Sequence, residues 1–247
     1  MRILAVGGGS IGFGAAKPEV TPLSLEMIRL TGKRHPRVLF LPTASGDDRA
    51  YSRAVEAHFK RLSCRVQTLP LWKNPPAFSS IRKSVGKADL IYVGGGNTLK
   101  MIGRWKRLGV LGLLARAKKR GAVLAGTSAG AICWFEVGNS DSRKYQNPKA
   151  KLIRVRGLGF LKAMACPHYD VEKDRKPELK RMTRGYPGVA IALDNCAALE
   201  VVGERGRVLS SKPKARGYKV YWRQGKFHEE PLGPQWKPLS EIFSKGL

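Results

Sequence analysis

Short apolar runs recur along the first half of the chain at Ile3–Val6, Val38–Leu41, Arg65–Leu69, Leu90–Val93 and Ala122–Ala125. Runs of this length read as strands, and the nearly continuous apolar ones as strands buried on both faces. Between them, Leu23–Leu30, Asp47–Leu62, Ser79–Val85 and Thr98–Arg120 repeat apolar positions at helical spacing, with Asp47 or Asp48 placed to cap the second. Strands alternating with helices predict a mostly parallel sheet with helices on both faces. Beyond a polar stretch at Ser140–Lys151, which reads as a loop, the pattern turns strand-rich: Leu152–Val155, Ala163–Cys166, Val189–Leu193, Ala197–Val202, Arg207–Leu209 and Tyr218–Trp222, with one helix over Lys173–Arg184. Hairpins that extend or cap an open sheet are the expectation there. No linker or repeat divides the chain, so residues 1–247 are expected to form a single α/β domain.

The junction after the fifth strand changes the picture from architecture to chemistry. Residues 126–130 read Gly-Thr-Ser-Ala-Gly, between the apolar runs Ala122–Ala125 and Ala131–Phe135. This is the pattern of a nucleophile elbow, a sharp turn that lifts a serine above the end of a sheet. The turn needs little bulk on either side of the serine, and Gly126 and Gly130 meet that need. The helix expected after it points backbone N–H groups at the serine, so the Ala129 amide is placed to stabilise an oxyanion. The plainer reading is a tight strand-to-helix turn.

Two further glycine clusters follow strands. Gly7-Gly8-Gly9-Ser10-Ile11-Gly12 fits G-x-G-x-x-G formally, but the second strand ends Leu41-Pro42-Thr43-Ala44-Ser45 and lacks the acid that would hold a ribose. A flexible loop at the sheet's carboxyl edge is the better reading. Gly94-Gly95-Gly96-Asn97-Thr98 lacks the Lys-Ser/Thr of a phosphate-binding loop, but its glycines allow a close backbone approach and a second oxyanion N–H.

Composition adds less. With 46 Lys and Arg against 18 Asp and Glu, the formal charge is +28. Such a field attracts nucleic acid. The densest stretch, Lys100–Arg120, nonetheless alternates with apolar residues as solvated helix faces do, and no aromatic-basic motif accompanies it, so nucleic acid is not the favoured partner. Cys64, Cys133, Cys166 and Cys196 are scattered through apolar runs, which predicts buried free thiols and no metal site. No apolar stretch reaches membrane-spanning length and the first strand is too short for a signal core, so no membrane partner and a cytoplasmic location are the expectations.

A serine needs a base, usually a histidine oriented by an acid. Among His35, His58, His168 and His228, only His168 follows an apolar run directly, at a strand end. Candidate acids are Asp141, Asp170, Glu136 and Asp194.

These residues together resemble the dipeptidase E (α-aspartyl dipeptidase) serine peptidases, relatives of cyanophycinase. The resemblance rests on Gly94–Thr98, Gly126–Ala131, Asn139-Ser140-Asp141-Ser142, Cys166-Pro167-His168-Tyr169 and Ala192-Leu193-Asp194-Asn195, in the family's order and at similar spacing. It implies a flavodoxin-like, class I glutamine amidotransferase-like fold. It also implies Ser128 as nucleophile, His168 as base, and Asp141, in the loop after the elbow, as the orienting acid. The oxyanion hole would use Ala129 and an amide from Gly95 or Gly96, and Arg175, with Asn97, would bind substrate. An arginine fork suits an N-terminal aspartate because it donates two parallel hydrogen bonds. The expected activity is hydrolysis of small peptides, extending to those that begin with aspartate, through an acyl-enzyme without metal or organic cofactor, in a monomer or homodimer. The alternatives are another amide hydrolase of the same fold, cyanophycinase-like or β-aspartyl, and a basic nucleic-acid-associated protein with an inactive elbow.

Overall fold

The computed structural model describes residues 1–12 and 17–245. Five strands, β1 (Arg2–Val6), β2 (Arg37–Leu41), β3 (Arg65–Thr68), β4 (Leu90–Val93) and β5 (Val123–Thr127), alternate with α1 (Thr21–Thr31), α2 (Arg49–Arg61), α3 (Phe78–Lys87), α4 (Thr98–Arg107) and α5 (Val110–Lys119). The five strands pair in parallel in the order β1-β5-β4-β2-β3. The strand pleat sends alternate residues to opposite faces: Ile3 and Ala5 enter one apolar cluster, Leu4 and Val6 another. Leu23 and Met27 of α1 and Val55 and Phe59 of α2 cover the second face.

After β5 come α6 (Ala129–Ile132), β6 (Phe135–Ser140), β7 (Ile153–Arg156), β8 (Leu161–Cys166), α7 (Arg175–Thr183), β9 (Ala190–Leu193), β10 (Ala197–Val202), β11 (Arg205–Ser210), β12 (Gly217–Arg223), β13 (Lys226–Leu232), β14 (Lys237–Pro238) and α8 (Leu239–Ile242). The expected extension is present: β10 adds antiparallel to β1, then β11 and β14 complete an eight-stranded sheet. The remaining strands form a second, six-stranded sheet in the order β13-β12-β9-β8-β6-β7. Its inner face joins the cluster that holds Ile3 and Leu124, through Leu161, Ala163 and Ile191, while α7 covers its outer face with Leu179 and Met182.

Three local details complete the sequence reading. The helical stretch Thr98–Arg120, whose apolar positions fall into two amphipathic faces, is two helices, and Gly109 at φ +68 separates them. The helix after the elbow is only four residues long, and the chain returns to a strand at Phe135. Of the two proposed caps, Asp48 serves α2, accepting from the Tyr51 N–H at 2.6 Å.

Candidate active site

Strand β5 ends at Thr127, and the chain reverses at Ser128 with φ 55 and ψ −113, a conformation that L residues rarely adopt. The turn fits because neighbouring backbone fills the space that side chains would need. A Cβ on Gly126 would lie 2.5 Å from the Gly130 carbonyl oxygen, and one on Gly130 would lie 2.1 Å from that of Val93. The Ser128 N–H donates to the Val6 carbonyl at 3.0 Å, which fixes the elbow to the end of β1.

His168 lies two residues beyond β8, and its backbone is also left-handed, with φ 55. Its N–H donates to the Gly7 carbonyl at 3.1 Å, so two successive carbonyls at the end of β1 anchor both residues. The two side chains meet: Ser128 Oγ and His168 Nε2 are 2.8 Å apart. On the far side of the ring, His168 Nδ1 lies 2.7 Å from Asn195 Oδ1. An amide oxygen only accepts, so it selects the tautomer with the proton on Nδ1 and leaves Nε2 bare to receive the serine proton.

Asn195 stands where an acid was expected. Asp141 instead faces Arg175, with Nη2 3.9 Å from Oδ2, and is not the group on the His168 ring. The reason is local: β6 runs on through Ser140, and Asp141 leaves its end beside the start of α7. Asp170 accepts from the Asn195 backbone N–H at 2.8 Å, so it holds the residue that holds the histidine. Asp194 accepts from the Arg216 N–H at 2.9 Å, and burial pushes its carboxyl above its ordinary value. Glu136 is exposed and meets the Tyr186 hydroxyl at 3.4 Å.

The loop after β1 is more than a flexible connection. A Cβ on Gly8 would fall 1.9 Å from Asn195 Oδ1 and 2.5 Å from His168 Nδ1, and the Gly8 carbonyl accepts from the Cys196 N–H at 3.0 Å. Gly8 therefore packs directly against the His168–Asn195 pair. The sequence placed neither Gly8 nor Asn195 against His168; the Asp194-Asn195 motif at the end of β9 was the available signal.

Gly95 lies alongside the serine: a Cβ there would be 3.4 Å from Ser128 Cβ. Its N–H donates to the Tyr51 hydroxyl at 3.3 Å. Gly96 follows with φ +133 over the Ala44 carbonyl. Asn97 is buried and spends both ends of its amide inside the protein. Its Oδ1 accepts from the Lys100 N–H as the cap of α4, and its Nδ2 donates to the Ser142 carbonyl at 2.9 Å. Arg175 is 1% exposed; Nε donates to Glu172 at 2.7 Å, and Nη1 to the Asn139 carbonyl and Oδ1 at 2.7 and 3.0 Å. Neither Asn97 nor Arg175 presents a free polar group in the way a substrate-binding role requires.

The four cysteines are buried free thiols, as the sequence pattern suggests. Burial pushes Cys64 up to about 11 and Cys166 up to about 12, which leaves neither as a thiolate nucleophile near neutrality. No cluster of potential metal ligands occurs among the described residues, and no helix among them is long and apolar enough to cross a membrane.

Residues 3–209 match the model of Peptidase family S51. The uncharacterized peptidase YgaJ of Bacillus subtilis (strain 168) is 38% identical over 233 residues, 94% of this chain and 96% of that protein. Among solved structures, a peptidase from an acI-B1 Actinobacterium superposes with a TM-score of 0.73 at 18% identity, covering 96% of both chains. A Listeria monocytogenes EGD-e protein described as a peptidase E superposes with a TM-score of 0.64 at 21% identity, covering 85% of this chain and 98% of that one. These two structures support the α/β fold.

Proposed function

Since the chain belongs to peptidase family S51, we propose that it is a serine peptidase in which Ser128 attacks, His168 moves the proton and Asn195 orients His168. The observation that carries this reading is the 2.8 Å contact between Ser128 Oγ and His168 Nε2 at a strained elbow. In the first step Oγ bonds to the peptide carbonyl carbon while its proton passes to Nε2. The negative charge on the carbonyl oxygen is met by the Ala129 amide and by one from Gly96 or from Gly95, whose N–H would exchange the Tyr51 hydroxyl for it. Collapse of the tetrahedral intermediate breaks the C–N bond, and His168 returns the proton to the departing amine. Water then attacks the acyl-enzyme, gives its proton to His168 and releases the carboxylic acid and free Ser128.

An asparagine can serve as the third member because orientation and tautomer selection need an acceptor, not a charge; cysteine peptidases with a Cys-His-Asn arrangement use the same logic. Metal and organic cofactors have no part in this scheme. The aspartyl preference that the family resemblance implies would need a guanidinium open to substrate, and Arg175 is already matched by Glu172, Asp141 and Asn139. The proposal is therefore a small-peptide hydrolase without that preference. The test is hydrolysis of a peptide panel by wild type, Ser128→Ala and His168→Ala. Loss of about a thousandfold or more in both variants supports it; undiminished turnover by Ser128→Ala removes it.

A further inference from the structure

A cavity of about 470 Å³ adjoins the serine and is lined by Gly95, which packs beside Ser128, by Thr127, which precedes it, and by Gly96. Its size is that of a small-ligand site. Its walls include Ile11, Tyr51, Tyr92 and Tyr145. Although 46 of the 247 residues are Lys or Arg, none of the described lining residues is one. Asp48 is the acid among them, and its carboxylate faces the start of α2, accepting from the Tyr51 N–H. Burial raises the Tyr51 and Tyr92 phenols above their ordinary value, so these two line the cavity as neutral rings.

We propose that this cavity receives a neutral apolar or aromatic side chain of the residue next to the scissile bond, which makes the enzyme selective for such peptides over aspartyl ones. The proposal rests on the peptidase reading and names its substrate class. A phenylalanyl or leucyl side chain would leave water for aromatic and aliphatic walls, the favourable direction of transfer. An aspartyl side chain would give up hydration with no cation to meet it, and with Asp48 nearby. Arg175 does not correct this balance, because it is enclosed by its own carboxylates and Asn139. The overall charge of +28 works the other way, drawing acidic peptides toward the surface, but that attraction is screened by salt whereas the cavity's selection is not.

The experiment compares kcat/KM for Phe-Leu, Leu-Leu, Asp-Leu and Arg-Leu at low and high ionic strength, and measures binding of Phe-Leu and Asp-Leu to Ser128→Ala by calorimetry. The expected ratio of Phe-Leu to Asp-Leu is on the order of a hundredfold, holding or rising with salt. Tyr145 is 58% exposed on a loop, so Tyr145→Arg should fold, and by placing a cation in the wall it should lower the ratio at least about tenfold. A ratio near one, or a preference for Asp-Leu, overturns the cavity assignment while cleavage leaves the peptidase reading intact. Binding of Phe-Leu over Asp-Leu without cleavage of any peptide by wild type keeps the cavity assignment and removes the peptidase reading. Neither cleavage nor binding removes both.

Discussion

Two polar clusters, one around Ser128 and one around Arg175, are held by the fold in opposite ways. Around Ser128 the side chains are only half-buried and two backbones are strained. Around Arg175, Nε donates to Glu172 and Nη1 to Asn139, Asp141 faces Nη2 at ion-pair distance, and the guanidinium is sealed. Strain is maintained where the fold needs a group held ready for a reacting atom, and closure where it needs a buried tie between β6 and α7. On the proposed mechanism a charged residue such as Arg175 belongs to the scaffold, and a neutral one such as Asn195 to the chemistry.

The strongest way to break this comparison is at Gly8. A methyl group there would occupy the space of Asn195 Oδ1, so Gly8→Ala should displace the His168–Asn195 pair and cost on the order of a hundredfold or more in kcat. The thermal midpoint should fall far less than for a core substitution. Peptide kinetics alongside a thermal melt provide the check; full activity would detach Gly8 from the site. Next in size is Asn195→Ala, expected to lower kcat by about ten- to a hundredfold at little change in KM, because it leaves the imidazole free to turn. Asn195→Asp should retain more activity than Asn195→Ala and move the acid limb of the pH–rate profile upward, since a carboxylate at that position favours the imidazolium.

The sequence was most informative where a local constraint sufficed. Glycines on both sides of a serine after an apolar strand announce the elbow without any tertiary knowledge, and His168 stood out because it follows β8 directly. Asn195 was hidden because a charge was expected on the ring, whereas Asp141, Asp170, Glu136 and Asp194 meet Arg175, the Asn195 N–H, Tyr186 and the Arg216 N–H. Gly8 was illegible because its requirement comes from side chains 160 and 187 positions along the chain. The second sheet was only half visible: β13 reads Lys-Phe-His-Glu-Glu-Pro-Leu, with four of its residues polar, and among the described residues it pairs with β12 alone. The burial of Arg175 left no trace in a helix whose exposed face is also charged.

On the scaffold side of the comparison, Arg175→Ala should cost roughly 2–4 kcal/mol of stability, because it strips partners from buried Asn139 and leaves two carboxylates unmatched. Its effect on the Phe-Leu to Asp-Leu ratio should be small in whatever enzyme remains folded. Chemical denaturation with kinetics on the folded fraction measures both, and a selective loss of aspartyl peptides would return Arg175 to substrate binding.

A smaller effect lies at the opposite end of the parallel strands, where Arg37 and Lys33 meet Asp89. Burial alone would raise that carboxyl, but hydrogen bonds from Arg37 and Lys33 outweigh it and hold it well below its ordinary value of 3.8. A lowered folded-state value contributes stability that is complete above the unfolded value and lost as pH falls through the folded one. Asp89→Asn should therefore flatten part of the stability loss below about pH 4 and leave the pH–rate profile at neutrality unchanged. Identical acid unfolding in wild type and variant would contradict this.

The central claim, that His168 activates Ser128, is tested most directly by reaction with a fluorophosphonate, which bonds to an activated serine Oγ as fluoride leaves. Intact-mass analysis should show one adduct on wild type, mapped to Ser128 by peptide sequencing, and almost none on Ser128→Ala or on folded His168→Ala. Labelling of Ser128 at the wild-type rate in His168→Ala, or an adduct on another serine in wild type, would contradict the account.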